Sequence, residues 1–499
     1  MNDTNAKTSA VVIGAGFGGL AAAIRLSAKG YAVTVLEKRD KPGGRAYVLE
    51  KNGYKFDMGP TVVTAPHLFE ELFSLSGKRM ADYVDMRSID PFYAVRFNDG
   101  TAFDYSGDSD AMFSQIKDLT PKDVEGYREF LKISEKIFRV GFEQLSEEPF
   151  PSIGSMLRIA PTMVRLKSYK TVYGLISSYI KNEKLRQLLS FHTLLVGGNP
   201  FNTTSVYALI AYLEEKWGVH FPMGGMGALV NALADLAISN GAHIRYNTEV
   251  SKIIVEKGRA TGVQLASGEI VSADIAVSNA DAAWTFTKLL DPSVRKRWTD
   301  KKVNRLKYSM SLFVWYFGTK KRYDAVKHHS ILLGPRYKGL LDDIFKRGVL
   351  ADDFSLYLHR PTATDPSLAP EGRDAFYVLS PVPHLASGID WKQRAEPYRA
   401  SIQAYLEKTV LPGLTDNLDV SYMMTPEQFR DDLLSVHGAA FSMQPTLTQS
   451  AYFRPHNQNE DVENLYMVGG GTHPGAGLPG VLCSAAIMDK LVSKVRRAA

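Results

Sequence analysis

Gly14, Gly16 and Gly19 stand between a short apolar strand pattern at residues 10–13 and a helical run at residues 20–29, with Phe17 and Gly18 inside the turn. This is Gly-x-Gly-x-x-Gly in the strand, turn and helix setting that gives the spacing its meaning. Gly14 permits the tight turn, Gly16 lets the backbone approach a pyrophosphate, and Gly19 allows close helix-to-strand packing, with the helix amino end toward the phosphates. A second strand pattern, residues 32–36, ends at Glu37, placed to accept hydrogen bonds from an adenosine ribose. A carboxylate there disfavours a 2′-phosphate. The spacing predicts an α/β chain opening on a Rossmann-like dinucleotide-binding unit.

With 499 residues there is room for two or three domains and a large core. Hydrophobic residues at 45% and charged residues at 22% exclude a disordered or fibrous chain. The single cysteine, Cys483, excludes an internal disulfide, a Cys-x-x-Cys pair and a thiolate zinc site, so redox chemistry must ride on a bound cofactor. Cys483 itself reads as a small buried hydrophobe. The polar residues 1–10 lack a basic n-region and a cleavage site, so no secretory signal is expected and a cytoplasmic location is. The uncharged stretch at residues 188–213 is broken by Gly197-Gly198-Asn199-Pro200, which argues against a transmembrane helix.

The net charge of +6 is concentrated in one place. Residues 152–186 hold seven bases (Arg158, Arg165, Lys167, Lys170, Lys181, Lys184, Arg186) and one acid, Glu183, so the rest of the chain is balanced. The same segment is rich in Met, Leu, Ile, Val and Tyr. Two readings fit: core-packed helices with a solvated basic face, or an interfacial segment drawn to anionic lipid. Nucleic acid is not expected, since no fold or ring-stacking motif accompanies the charge.

Further motifs extend the cofactor site. Lys38 begins a run ending Gly43-Gly44-Arg45, and Phe56-Asp57-Met58-Gly59-Pro60-Thr61 forms a second turn. Gly224-Gly225-Met226-Gly227 opens a helix toward Asn240, followed by strand patterns at residues 251–256, 262–266 and 270–278 around Gly258 and Gly268 turns. Near the end, a buried strand pattern at residues 464–468 leads into Gly469-Gly470-Gly471-Thr472-His473-Pro474-Gly475-Ala476-Gly477-Leu478-Pro479-Gly480-Val481 and a last helix. Such a turn brings backbone amides and a helix amino end to an electron-rich ring or diphosphate.

Taken in order, the Phe17-containing glycine loop, Gly43-Gly44-Arg45, Phe221-Pro222-Met223-Gly224-Gly225 and the Gly471–Gly477 turn resemble the bacterial and fungal phytoene desaturases, the carotenoid branch of the FAD-dependent, amine oxidase-like flavoproteins. The likeness spans nearly the whole chain and includes Phe453-Arg454-Pro455-His456-Asn457. It implies FAD, held by the glycine loop, Glu37, Lys38, Gly44, Arg45, Gly59, Pro60, Thr61, Val250, Asn279, Gly470, Gly471, Pro479, Gly480 and Val481. It also implies stepwise desaturation of 15-cis-phytoene, with lycopene as the expected product, hydride passing to flavin N5 and electrons to oxygen or a quinone. A strong base is unnecessary, because hydride loss beside a triene leaves a delocalised cation whose neighbouring proton is acidic. The family's carboxylate and arginine pair maps to Ser155 and Arg158. Arg158 matches and Ser155 does not, so Arg158 and His473, which either orients the flavin or packs the turn, are the catalytic candidates. No metal site is expected, and His328-His329 reads as a solvent-facing pair.

The resemblance further implies a discontinuous flavin domain (residues 8–105, 220–300 and 455–499) of the glutathione reductase and amine oxidase type. A helical, membrane-associating insertion (106–219) and a sheet-bearing substrate insertion (301–454) complete it. The expected partners are a hydrophobic polyene and a lipid surface; a homo-oligomer is left open. Rival readings are a desaturase for a diapocarotenoid or hydroxylated carotenoid, and a flavin-free isoprenoid binder of the Rab GDP-dissociation inhibitor type.

Overall fold

The computed structural model describes residues 8–495. Its organising strand is Ser9–Ile13, at the centre of a five-stranded parallel sheet ordered Leu465–Met467, Ile275–Ser278, Ser9–Ile13, Ala32–Leu36 and His243–Arg245. Alternation along this strand sorts its side chains between two cores, because successive residues of a strand point to opposite faces. Ala10 and Val12 pack with the helices Phe17–Ala28, Met226–Ser239 and Leu478–Leu491. Val11 and Ile13 pack with an antiparallel meander, Val250–Glu256, Arg259–Leu265 and Ile270–Ser272. The helix Phe17–Ala28 is apolar nearly all round, with Leu20 through Leu26 buried, as suits a helix clamped between a sheet and two other helices. Gly19 makes that clamp possible: a Cβ there would lie 1.9 Å from the Gly14 carbonyl oxygen.

A second layer is a seven-stranded sheet ordered Leu418–Met424, Ser311–Thr319, Asp374–Val382, Leu356–His359, His329–Leu333, Tyr93–Phe97 and Ala102–Tyr105. The last two strands lie within residues 8–105, which the sequence reading gave wholly to the flavin unit. They belong instead to this seven-stranded sheet, the roof over the cofactor site. Tyr93–Phe97 runs parallel to His329–Leu333 with Ala94 opposite Ser330, a pairing that buries Tyr93 and Val95 completely. His328 and His329 also depart from expectation: both are buried, because His329 opens an interior strand, His329–Leu333, that is paired on both edges and buried at every residue.

The residues between are helical. Val124–Phe138 buries Tyr127, Phe130, Ser134, Ile137 and Phe138, the three-and-four spacing of one helix face. Ile153–Arg165 is different: none of its residues is buried, although Ile159 and Met163 are half-buried and Ile153, Leu157 and Val164 are exposed. No helix among the described residues is long and apolar enough to cross a membrane.

Candidate functional site

A cavity of about 840 Å³ runs from the glycine turn, beneath the seven-stranded sheet, to the helix Ile153–Arg165. Its polar end is built by segments from the beginning, middle and end of the chain, the first and last more than 450 residues apart. Gly14, Gly16, Phe17 and Gly18 form one wall, and Glu37 and Lys38 continue it. The helix Phe17–Ala28 starts with no side-chain cap and no acid in its first turn, so its leading amide groups are open to an anion. The Glu37 carboxylate is buried and held in place by the amides of Ala15 at 2.7 Å and Arg39 at 2.9 Å. Lys38 turns outward and donates to the Asp431 carbonyl at 2.9 Å.

Gly44, Arg45, Gly59, Pro60 and Thr61 line the next stretch. Arg45 donates to Ser435 Oγ at 2.7 Å and faces Asp281 at 3.7 Å. Thr61 Oγ1 is hydrogen bonded to the phenols of Tyr357 and Tyr377, at 2.9 and 2.8 Å, tying the turn to the roof. Val250 and Asn279 line the wall formed by the meander and the end of strand Ile275–Ser278. Gly470, Gly471, Pro479, Gly480 and Val481 close the site from the other end of the chain. Gly19 stays outside the lining and acts through helix packing.

The two catalytic candidates part company here. His473 lines the cavity, edge-on to Phe150 at 4.9 Å between centroids. Burial, reinforced by the positive charge of Arg454, pushes it down to about 3, so it is neutral and cannot deliver a proton as an imidazolium near pH 7. Arg158 sits on the exposed face of Ile153–Arg165 and does not line the cavity. The helix turns Met156, Ile159, Ala160 and Met163 inward instead, and the intervening Leu157 and Arg158 must then face out.

Several residues of the site, Arg454 and Asn457 among them, are given no role by the sequence. Arg454, buried, donates to the carbonyls of Gly470 at 2.7 Å and Thr472 at 3.0 Å and so shapes the last glycine turn. Asn457 Nδ2 donates to the His473 carbonyl at 2.9 Å. The available signal was that Arg454 is the only formally charged residue between Asp432 and Glu460. Glu214, at the apolar end, pairs with His192 at 3.0 Å and accepts from the Tyr93 hydroxyl at 2.8 Å. Its three-residue spacing from Ala208 and Ala211 marks the buried face.

Asp57 supports the site from below. Its carboxylate accepts the Met226 amide at 2.9 Å at the start of a helix, and burial raises it from 3.8 to about 6, partly offset by the amides of Met226 and Gly227. The folded state therefore holds this proton more tightly than the unfolded chain. The resulting stability is fully present below pH 3.8 and is lost as pH rises through 6, a change of about 3 kcal/mol at most. Asp57→Asn is expected to remove that loss, so its Tm relative to the parent should climb between pH 4.5 and 7. A constant difference across the range would refute the raised value.

The apolar end is a channel walled by the helices and by inward residues of the roof, including Leu312, Val314, Ile331 and Leu379. Val164, Tyr169, Leu447 and Phe453 both line it and are 42–63% exposed, which defines its mouth. Bases flank that mouth from two sides. Arg158, Arg165, Lys167 and Lys170 stand on one, and no ion pair among the described residues involves them. Arg297, Lys302, Arg305 and Lys307 line a shallow depression that shares Phe453 on the other.

The residues present fit FAD: an uncapped helix start over a glycine cradle, a carboxylate at the ribose end, and a second glycine turn closing the opposite side. Residues 17–487 match the family model described as flavin containing amine oxidoreductase. The chain is 50% identical to the phytoene desaturase (lycopene-forming) of Pseudescherichia vulneris, over 95% of this chain and 97% of that one. It is 49% identical to the phytoene desaturase (neurosporene-forming) of Cereibacter sphaeroides, over 98% and 95%. Among solved structures, an oxidoreductase from Methanosarcina mazei shares the fold at a TM-score of 0.65 and 20% identity, covering 97% of this chain and 99% of that one.

Proposed function

The chain belongs to the flavin containing amine oxidoreductases, and within them to the phytoene desaturases; from that premise we propose that it desaturates 15-cis-phytoene in successive FAD-dependent steps, with lycopene as the product. The observation that carries this reading is the continuity of the cavity, whose dinucleotide cradle opens directly into a long apolar channel. Bound FAD supplies the two-electron acceptor that takes the hydride. This chain's residues do the rest. The channel desolvates and aligns the polyene, so that positioning carries most of the rate enhancement. The proton lost from the carbon next to the developing allylic cation passes to water at the open mouth of the channel, and the bond between the two carbons becomes double. The phenols of Tyr357 and Tyr377 and the imidazole of His473 stay neutral in the buried site, where they orient rather than ionise.

The substrate is insoluble in water, so the mouth is read as a docking face for anionic lipid. Ile153 and Leu157 on the outer face of the helix and Val164, Tyr169 and Phe453 at the rim supply the apolar contact, and the two groups of bases supply the attraction. Oxygen or a membrane quinone is the proposed terminal acceptor. The relatives' names include both neurosporene- and lycopene-forming enzymes, so the product is read directly in the test.

Holoenzyme mixed anaerobically with 15-cis-phytoene in detergent micelles is expected to lose its flavin absorbance and, on aeration, to accumulate lycopene. Preference for a diapocarotenoid or hydroxylated carotenoid would overturn the substrate. When phytoene is offered in liposomes, bleaching is expected to be faster with anionic than with zwitterionic lipid and to slow with salt. Equal rates would overturn the docking face while leaving the substrate reading intact.

A further inference from the structure

His328, His329 and His359 come together in the roof, away from the flavin cradle. His329 and His359 are direct cross-strand partners in antiparallel strands, and His328 precedes the first of them. The three rings lie 4.4–5.2 Å apart between centroids, and one nitrogen from each can be chosen so that all fall within 4.8 Å of one another. All three side chains are at least 95% buried.

The hydrogen bonding is selective. His328 Nδ1 meets Thr364 Oγ1 at 2.6 Å, and His329 Nδ1 meets the Tyr357 hydroxyl at 2.6 Å. The Nε2 atoms of both rings, and both ring nitrogens of His359, have no hydrogen-bond partner. Buried polar atoms normally find partners, so four orphaned nitrogens within one buried cluster of three rings call for a ligand. Orientation of one ring nitrogen by a hydroxyl while the other stays free is the arrangement that presents imidazole to a metal.

We propose that His328, His329 and His359 form a buried three-imidazole site for one divalent transition-metal ion, zinc being the ion they suit best. Imidazole donors favour zinc and its first-row neighbours over magnesium or calcium. Tetrahedral zinc with bonds of about 2.0–2.1 Å needs nitrogens about 3.4 Å apart, so small ring rotations complete the site and water takes the fourth position. The ion would staple two roof strands to the segment before them. Through His329 it would also fix Tyr357, whose hydroxyl holds Thr61 at the cofactor turn. The inference is independent of which polyene is oxidised.

The test uses untagged holoenzyme equilibrated with zinc sulfate, desalted, and measured by inductively coupled plasma mass spectrometry. About one zinc per chain is expected, falling at least about tenfold in His359→Gln while His243→Gln, at an exposed strand position, retains it. Retained FAD in His359→Gln shows that the variant is folded. Should it fail to fold, X-ray absorption of the parent decides instead, three imidazole ligands being expected. Loss of zinc on desalting, equal zinc in His359→Gln, or a spectrum lacking three imidazoles would overturn the proposal.

Discussion

A Gly18→Val variant is expected to purify folded but colourless, with its affinity for FAD lowered at least about a hundredfold, or about 2.7 kcal/mol. Gly18 lies where the first and last cofactor loops touch. Even a single Cβ there would sit 2.5 Å from Asn279 Oδ1 and 3.1 Å from the Gly469 amide nitrogen, and valine adds two methyl groups. Relief requires the Gly469 backbone to move away, which opens the seam between the cradle's two halves. The substitution lies in the first turn of the helix Phe17–Ala28 and leaves the sheet and the other two helices unaltered, so secondary structure should survive. The flavin-to-protein absorbance ratio and titration with FAD provide the check. A variant that keeps full occupancy would show that the two loops do not bind one ligand jointly.

Replacing Arg454 with methionine is expected to cost about 3–5 kcal/mol and to release FAD on mild heating. The guanidinium satisfies the carbonyls of Gly470, Thr472, Gln449 and Met443 at 2.7–3.4 Å, all in a buried site. Methionine fills the space but leaves those acceptors without donors, and unpaired buried acceptors are expensive. Lysine should rescue little, since one ammonium cannot reproduce a planar fork. Thermal melts followed by protein and by flavin fluorescence should show a Tm lowered by about 3–5 °C and earlier flavin release. Parental melting in both channels would mean that the last glycine turn holds its shape without Arg454.

What could be read from sequence were the features that local geometry dictates. The glycine loop, the strand ending at Glu37 and the last glycine turn are each confined to about a dozen residues, and backbone sterics alone demand small residues there. The lining assigned from Gly14, Gly44, Thr61, Asn279 and Gly480 meets in one cavity. Properties set by long-range pairing were not legible. Tyr93–Phe97 joins a strand more than 230 residues away, and nothing within its own sequence names that partner. His328, His329 and His359 look unrelated until cross-strand register brings them together. The side on which Arg158 lies was hidden for another reason. Its helix carries apolar residues on both the channel face and the outer face, so periodicity cannot say which side looks inward.

The meeting of the first and last elements sets an order on the protein's birth. Lys29 reaches the carbonyls of Asp489 and Val492 across 460 positions, and the Phe17–Ala28 helix rests on Leu478–Leu491. At roughly 5–20 residues per second, a ribosome needs about 25–90 s to cover that distance. Throughout that interval the nascent chain displays a half-built nucleotide pocket that lacks the glycine turn and helix at residues 469–491. A vitamin-derived cofactor meets its complete binding site once the closing helix has been made, which makes flavin supply a concern of maturation rather than of elongation.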